Sequence, residues 1–216
     1  MKPIVFNREM VRAILDGRKT ITRRVVKPQP EGAHTILGCD PDKRTFEIMC
    51  GNGGEGGIFL DWTEDVKAPF WPGDILYVRV TWAKNDNPKS DNFGGYEYRA
   101  DYLGSLCCDL IDWSPSIHMP KEAARIFLRV TDVRAKRLQD MTNEDAEREG
   151  ARTDERLEIE EEAGLVGLST SSLREYFGRH IWDSTIKKKD LTLYGWDANP
   201  WVWVIEFERQ DENQHE

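Results

Sequence analysis

The pattern of apolar and polar positions predicts a helix followed directly by a strand at the N-terminus. Four apolar residues recur at helical spacing: Met10, Val11, Ile14 and Leu15. Asn7 precedes them as a favourable N-cap, and Gly17 follows them with the freedom to adopt the left-handed conformation that often ends a helix. The next run, residues 18–24, favours a strand but is rich in hydroxyls and cations, which a core strand does not need. We therefore interpret residues 7–24 as the segment that carries a functional site.

Apolar alternation predicts further strands along the chain. They are Thr45–Cys50, Gly57–Trp62, Ile75–Trp82, Tyr96–Ala100, Arg125–Val133 and Trp201–Glu208. The first two, with a glycine-rich turn between them, predict a hairpin inserted at residues 31–69. Thr142 with Asp145 three residues later has the spacing of a capping box, so a short helix is expected to start there and to stop at Gly150. Several strands, short helices and long insertions together predict an α+β fold, with the strands in a barrel.

The glycine-rich stretch Gly51–Gly56 matches the GxGxxG pattern of dinucleotide-binding proteins. That pattern requires a helix immediately after it, because the helix N-terminus receives the pyrophosphate. Strand-like runs lie on both sides of this stretch, and no helix is predicted after it. We interpret it as a turn.

The length of 216 residues predicts one domain over residues 1–209, with insertions at about 28–69, 83–120 and 153–200 and a flexible acidic tail at 210–216. A hydrophobic content of 39% is enough for a core. There is no apolar run long enough to span a membrane and no apolar signal segment at the N-terminus, so the sequence predicts a cytoplasmic protein without a membrane partner. Its oligomeric state stays open.

The net charge of -9 argues against a protein that coats nucleic acid non-specifically, but the charge is unevenly distributed. Residues 1–27 hold eight Lys and Arg and two acidic residues, whereas residues 140–162 hold eleven acidic residues and three Arg. The two segments are either solvated surfaces or segments that face each other. A third interpretation is that the basic segment attracts a phosphate.

Three residues have the chemistry of a catalytic site. Lys19 lies among cations, which favour its neutral form, and a neutral amine can act as a base. The hydroxyl of Thr22 becomes a nucleophile beside such a base. Glu149 lies near the end of the capped helix, where the helix dipole disfavours its charge, and would be the acid. The alternative is an exposed Lys, a Thr kept for its strand propensity and a surface Glu.

A regular strand would point Lys19 and Thr22 to opposite faces, so the pair requires Lys19 to belong to the turn before the strand. No cofactor or metal is called for by this chemistry. A zinc site with Cys39, Cys50, Cys107, Cys108, His34 or His118 is conceivable, but the spacing fits no familiar zinc pattern.

Four blocks of the sequence resemble the ASCH domain of the PUA-like superfamily. They are Gly17–Arg24 (GRKTITRR), Pro72–Arg79 (PGDILYVR), the helix over residues 142–150, and Trp203–Glu208. Residues 116–120 (SIHMP) and 199–203 (NPWVW) extend the likeness to phage- and prophage-encoded ASCH proteins. The resemblance implies a PUA-type β-barrel flanked by short helices, with a cleft suited to a nucleobase or RNA.

A small bacterial member of this family is an amidohydrolase that removes the acetyl group from N(4)-acetylcytidine with a Lys, a Thr and a Glu. Its GRKTIT string matches Lys19 and Thr22, and its T-x-x-x-A-x-x-E helix matches Glu149. The resemblance therefore implies an amidohydrolase that acts on N(4)-acylated cytidine, as nucleoside or in RNA. Arg24 and Arg18 would bind the substrate and Trp82 would stack on its base. One departure is Val80, where the phage-type pattern has Glu.

Two other functions stay open at this point. The same cations fit a non-catalytic RNA-binding module, in which they contact phosphates and binding weakens strongly with salt. Some ASCH proteins are reported to cleave RNA, so a ribonuclease is the third possibility, and a requirement for a divalent metal would favour it.

Overall fold

The computed structural model describes residues 1–52, 60–88, 92, 94–102, 111–152 and 172–210. The strands are β1 (Lys2–Val5), β2 (Ile21–Val25), β3 (Ala33–Asp40), β4 (Thr45–Asn52), β5 (Leu60–Lys67), β6 (Ile75–Arg79), β7 (Trp82–Lys84), β8 (Tyr96–Tyr98), β9 (Phe127–Arg137) and β10 (Trp201–Gln210). The α-helices are α1 (Arg8–Leu15), α2 (Asn143–Arg148), α3 (Leu173–Tyr176), α4 (Asp183–Thr185) and α5 (Leu191–Tyr194). A π-helix over Phe177–Trp182 joins α3 to α4.

Short 3₁₀-helices lie between these elements. They are Arg99–Asp101, Ser116–His118, Lys121–Ala123, Leu138–Asp140, Lys188–Asp190 and Trp196–Ala198. The mixture of helices and sheets confirms the α+β class predicted from the sequence.

The predicted helix at the N-terminus is confirmed as α1. The Asn7 side chain accepts a hydrogen bond from the backbone N–H of Met10 at 2.8 Å, as an N-cap residue should. Gly17 has a φ of 74°, the left-handed conformation that glycine adopts without steric cost. The chain therefore turns sharply after α1 and enters β2.

The inserted hairpin at residues 31–69 proves to be a three-stranded antiparallel sheet in the order β3-β4-β5. The hairpin itself is confirmed, because β4 pairs with β5 from Thr45 opposite Lys67 to Asn52 opposite Leu60. The additional strand β3 was not predicted. Its pairing with β4 shifts twice, between Ala33 and Thr35 and between Ile36 and Gly38, and such bulges break the apolar alternation that marks a strand.

The prediction of one strand over Ile75–Trp82 is wrong in its second half. β6 ends at Arg79, and Trp82 begins β7, which pairs with β8 in a separate two-stranded sheet. The backbone N–H of Val80 lies 3.2 Å from the sulfur of Met119. The backbone of Trp82 exchanges hydrogen bonds with Ser114. These contacts redirect the chain between the two strands.

The largest sheet has five strands in the order β1-β6-β9-β10-β2. Its first pair, β1 and β6, is parallel, and its last pair, β10 and β2, is antiparallel. The closed PUA-type barrel stays a prediction.

The chain divides into two compact units. The first contains Met1–Thr20, Gly73–Val130 and Phe207–Glu216, and the second contains Ile21–Pro72 and Thr131–Glu206. The single domain over residues 1–209 stays a prediction. Gln210, the first residue of the predicted tail, is the last residue of β10, and residues 211–216 lie outside the described residues.

The core of the second unit is an apolar cluster that packs α2 and the helices after residue 172 against β10. Its buried members are Leu138, Met141, Ala146, Ala151, Leu173, Tyr176, Phe177, Trp182, Trp196, Val202 and Val204. Ala146 is the inward-facing residue of the short helix α2 and is fully buried. The burial of Ala146 against this cluster holds α2, whose C-cap residue is Glu149, in place.

No helix of the described residues is both long enough and apolar enough to cross a membrane.

The π-helix packs so closely on Trp196 that Gly178 has no room for a side chain. A Cβ built on Gly178 would overlap the indole ring of Trp196, which is itself 3% exposed. We expect Gly178→Ala to lower the free energy of unfolding by about 1–3 kcal/mol, the usual cost of forcing extra atoms into a packed core. Urea unfolding measures this loss. Gly38→Ala is the control, because a Cβ there meets nothing within 4 Å, and an equal loss in both variants would contradict the packing explanation.

Candidate functional site

Lys19 is buried in the first unit and lies outside any strand. Lys19 is 3% exposed, and its backbone N–H donates to the carbonyl of Ala13 at 2.9 Å. The Nζ atom lies 5.5 Å from the centroid of the Phe6 ring, within the range of a cation–π contact. The requirement that Lys19 belong to the turn before the strand is therefore met, and the alternative of an exposed lysine is wrong.

Strand β2 carries three polar residues in succession, Thr22, Arg23 and Arg24, within the second unit. They pair with Ile205, Val204 and Trp203 of β10. Successive residues of a strand point to opposite faces, so Thr22 and Arg24 share one face and Arg23 occupies the other. Thr22 and Arg23 are 3% and 4% exposed. A buried Arg inside a strand requires a compensating negative charge.

The compensating charge comes from α2. Thr142 and Asp145 form the capping box that the sequence predicted, with the Asp145 backbone N–H donating to the Thr142 hydroxyl at 3.1 Å. Glu149 is the C-cap residue, and Gly150 follows it with a φ of 98°. Glu149 is 3% exposed, so the alternative of a surface glutamate is wrong.

The guanidinium of Arg23 is shared between two carboxylates of α2. Its Nη2 donates to Asp145 at 2.8 Å and its Nη1 donates to Glu149 at 3.2 Å. The side chains of Arg23 and Glu149 are 2% and 4% exposed, whereas that of Asp145 is 23% exposed. The pair of Arg23 and Glu149 is thus a salt bridge that is almost completely removed from water, where attraction between charges is strongest.

Arg24 also interacts with Glu149, although it leaves the opposite face of β2. Burial lowers the pKa of the Arg24 guanidinium below its ordinary value, and the negative charge of Glu149 raises it in opposition. The two arginines therefore surround Glu149 with positive charge.

A second set of ion pairs holds α2 to β10. Arg148 Nη2 donates to Glu206 at 2.9 Å, and Arg134 of β9 donates to the other oxygen of Glu206. The side chains of Arg148 and Arg134 are 35% and 43% exposed, so water weakens these contacts. These outer ion pairs also join arginines to a carboxylate, but here the carboxylate is that of Glu206.

The other predicted binding residues belong to the first unit. Arg18 is exposed and pairs with Asp16 at 3.1 Å. Trp82 is partly buried at the start of β7, and its ring contacts the edge of Tyr96 at a centroid distance of 5.6 Å. Val80, which replaces the Glu of the phage-type pattern, is 4% exposed. The carboxylates that accept hydrogen bonds from Arg23 belong to Asp145 of α2 and to its C-cap residue Glu149.

Arg23 and Asp145 were not predicted as site residues. The signal that pointed to them was the contrast between the basic segment at 1–27 and the acidic segment at 140–162, for which facing segments were one interpretation. The contacts of Arg23 with Asp145 and Glu149 confirm that interpretation for these residues. The composition alone did not tell which basic residue would be buried.

No family model, curated protein or solved structure matches this chain. The resemblance to the ASCH domain therefore stays a prediction that depends on the short blocks quoted above. In the described parts of the chain, no group of three or more His, Cys, Asp or Glu side chains is arranged to hold a metal ion. Cys39 and Cys50 are free thiols, and burial raises the pKa of the Cys50 thiol. Cys107 and Cys108 lie outside the described residues.

Because the Arg23–Glu149 pair is buried, we expect the loss of Arg23 to lower the free energy of unfolding much more than the loss of the more exposed Arg148. Arg23→Leu removes the cation that donates hydrogen bonds to both carboxylates, and we expect a loss of about 3–5 kcal/mol in the free energy of unfolding. Arg148→Gln breaks a more exposed pair on the same helix and should lose about 1 kcal/mol or less. Chemical denaturation of both variants measures the difference. Equal losses would mean that Arg23 contributes no more than a surface ion pair.

Proposed function

We propose that the chain is an amidohydrolase that removes the acyl group from N(4)-acylated cytidine. The observation that carries this proposal is that Lys19, Thr22 and Glu149 are all buried, although each belongs to a residue type that is usually exposed in such sequence contexts. A folded protein rarely removes a lysine and a glutamate from water without a functional or structural reason.

The charges of the second unit support this chemistry. Amide hydrolysis forms a tetrahedral intermediate with a negative oxygen, and a positive group beside that oxygen accelerates the reaction. Arg24 shares the face of β2 with Thr22, so it is the residue that we assign to the oxyanion or to a polar edge of the substrate.

In the proposed reaction, Lys19 accepts the proton of the Thr22 hydroxyl, and the Thr22 oxygen attacks the acyl carbonyl. The bond from the acyl carbon to N4 of cytidine breaks as N4 receives a proton, and water then releases the acyl group from Thr22. Glu149 either protonates the leaving amino group or orients the reacting groups. Arg18 and Trp82 are assigned to the substrate, with Trp82 stacking on the base. The reaction uses no cofactor.

The fold that accompanies this function is a PUA-like barrel. Strand β10 supports it, because it contains Trp203–Glu208, which resembles the last block of the family, and it pairs with β2 over Val202–Glu206. The GRKTITRR block and the final block of the family are therefore hydrogen-bonded neighbours in this chain. Two blocks that are far apart in sequence but adjacent in space are what a shared site requires.

Substitutions of Lys19 distinguish a role as a base from a role as a positive charge. Lys19→Arg keeps the charge but cannot accept a proton at neutral pH. We expect Lys19→Arg and Lys19→Ala to lower the rate of cytidine release from N(4)-acetylcytidine by about 10²-fold or more. Chromatography of released cytidine is the measurement. Lys43→Ala, at an exposed surface lysine, is the control.

Retention of activity in Lys19→Arg would contradict the role of Lys19 as a base. A folded wild-type protein that releases no cytidine from N(4)-acetylcytidine or from longer N(4)-acyl variants would overturn the amidohydrolase assignment altogether.

A second candidate function is non-catalytic RNA binding, and one observation in the second unit favours it. Lys27 lies two residues beyond β2, and its Nζ is 4.7 Å from the centroid of the Tyr194 ring. Lys187, Lys188 and Lys189 are exposed a few residues before Tyr194. Lysines beside an aromatic ring are the combination by which single-stranded RNA is bound.

The salt dependence of RNA binding tests this second candidate. Each phosphate contact to a single strand contributes a slope of about 0.7 to the plot of log affinity against log salt concentration. If these lysines bind RNA, replacing Lys187, Lys188 and Lys189 together with Ala should lower the slope by about 2, whereas Lys43→Ala should not. Fluorescence anisotropy with a labelled oligonucleotide measures the slope. An unchanged slope would exclude these lysines as phosphate contacts.

A further inference from the structure

Arg23 has no role in the resemblance, yet it makes an ion pair with Glu149 in which the two side chains are only 2% and 4% exposed. Its two terminal nitrogens contact carboxylates that lie four residues apart on α2, Asp145 and Glu149. Its Nε is buried without an acceptor among the described residues. The position of the guanidinium is therefore fixed by α2.

The protonation state of Glu149 follows from this arrangement. A guanidinium stays charged in proteins at any ordinary pH. If Glu149 were neutral, a buried cation would keep only the more exposed Asp145 as its counter-ion, and such a loss is costly. The second arginine, Arg24, adds a further positive charge near Glu149. The negative charge of Asp145 opposes these effects, but Asp145 is partly solvated and also accepts the Thr142 N–H.

We propose that Arg23 is a positioning residue that holds Glu149 ionised and in one orientation, so that Glu149 accepts a proton in the reaction and does not donate the first one. The role in the reaction rests on the proposed amidohydrolase function. The ionised state of Glu149 does not.

An ionised Glu149 assigns the proton transfers of the two halves of the reaction. In the first half, the Thr22 oxygen bonds to the acyl carbon, the bond from that carbon to N4 breaks, and the Thr22 proton passes through Lys19 to N4. In the second half, a water oxygen bonds to the acyl carbon and the bond to the Thr22 oxygen breaks. Glu149 accepts one proton of that water and returns it to Thr22, so that both residues are regenerated.

The first experiment separates the two halves of the reaction. Glu149→Gln and Arg23→Gln are mixed with excess N(4)-acetylcytidine, and released cytidine and protein mass are followed together. We expect about one cytidine per protein in the first turnover, an acetyl group retained on Thr22, and a steady-state rate lowered by about 10²-fold. Arg23→Lys, which keeps a cation, should recover part of the steady-state rate.

Arg148→Gln is the matched control, because it breaks an arginine–carboxylate pair of the same helix in which the carboxylate is that of Glu206. It should keep the steady-state rate of the wild type. Loss of the first turnover in Glu149→Gln, with no acetylated protein, would make Glu149 the initial proton donor and overturn the proposal. Equal effects of Arg148→Gln and Arg23→Gln would reduce Arg23 to a structural residue.

The second experiment does not need activity. Infrared difference spectra of the wild type against Glu149→Gln, at neutral pH, report whether the group removed was a carboxylate or a carboxylic acid. We expect loss of the carboxylate stretching bands. Loss of an acid carbonyl band would overturn the proposal even if the enzyme hydrolyses its substrate. A wild type that shows the carboxylate bands but releases no cytidine would overturn the proposed function and keep the ionised pair.

Discussion

The salt bridge between Arg23 and Glu149 is the constraint on which the second unit depends. Two charged side chains that are almost completely removed from water are tolerated only if each keeps its partner. The partners lie 126 residues apart in the chain, so the contact requires β2 and the end of α2 to be formed and correctly placed. The buried packing of Ala146 and the capping box of Thr142 place α2, and the pairing of β2 with β10 places Arg23.

The charged groups around α2 differ in how much water reaches them. The inner pair excludes water from Glu149, while the outer contacts of Glu206 with Arg148 and Arg134 remain partly solvated. The Glu149 carboxylate accepts a hydrogen bond from Arg23 in a position that is shielded from water. In the proposed reaction, a carboxylate that is already oriented in this way needs little reorganisation.

The local features of the fold were predictable from the sequence, and the long-range contacts were not. Two helix starts were predictable from their capping residues, because capping depends on residues three positions apart. These residues are Asn7 for α1 and Thr142 with Asp145 for α2. Strand β3 was missed because two bulges interrupt its alternation, and the end of β6 was missed because the contacts of Val80 and Trp82 are made with Met119 and Ser114. The burial of Arg23 depends on α2, and no pattern within residues 18–24 reveals it.

The proposed function requires the site around Arg23, Arg24 and Glu149 to bind an N(4)-substituted cytidine. The most direct measurement is a titration with an N(4)-alkyl cytidine, which has no acyl carbonyl to be hydrolysed, followed through the side-chain Nε–H resonances of the arginines in NMR spectra. The account predicts that the Arg23 and Arg24 signals shift and saturate together, while that of Arg148 does not move. Saturating ligand that leaves Arg23 and Arg24 unchanged, or binding that shifts only other arginines, would contradict it.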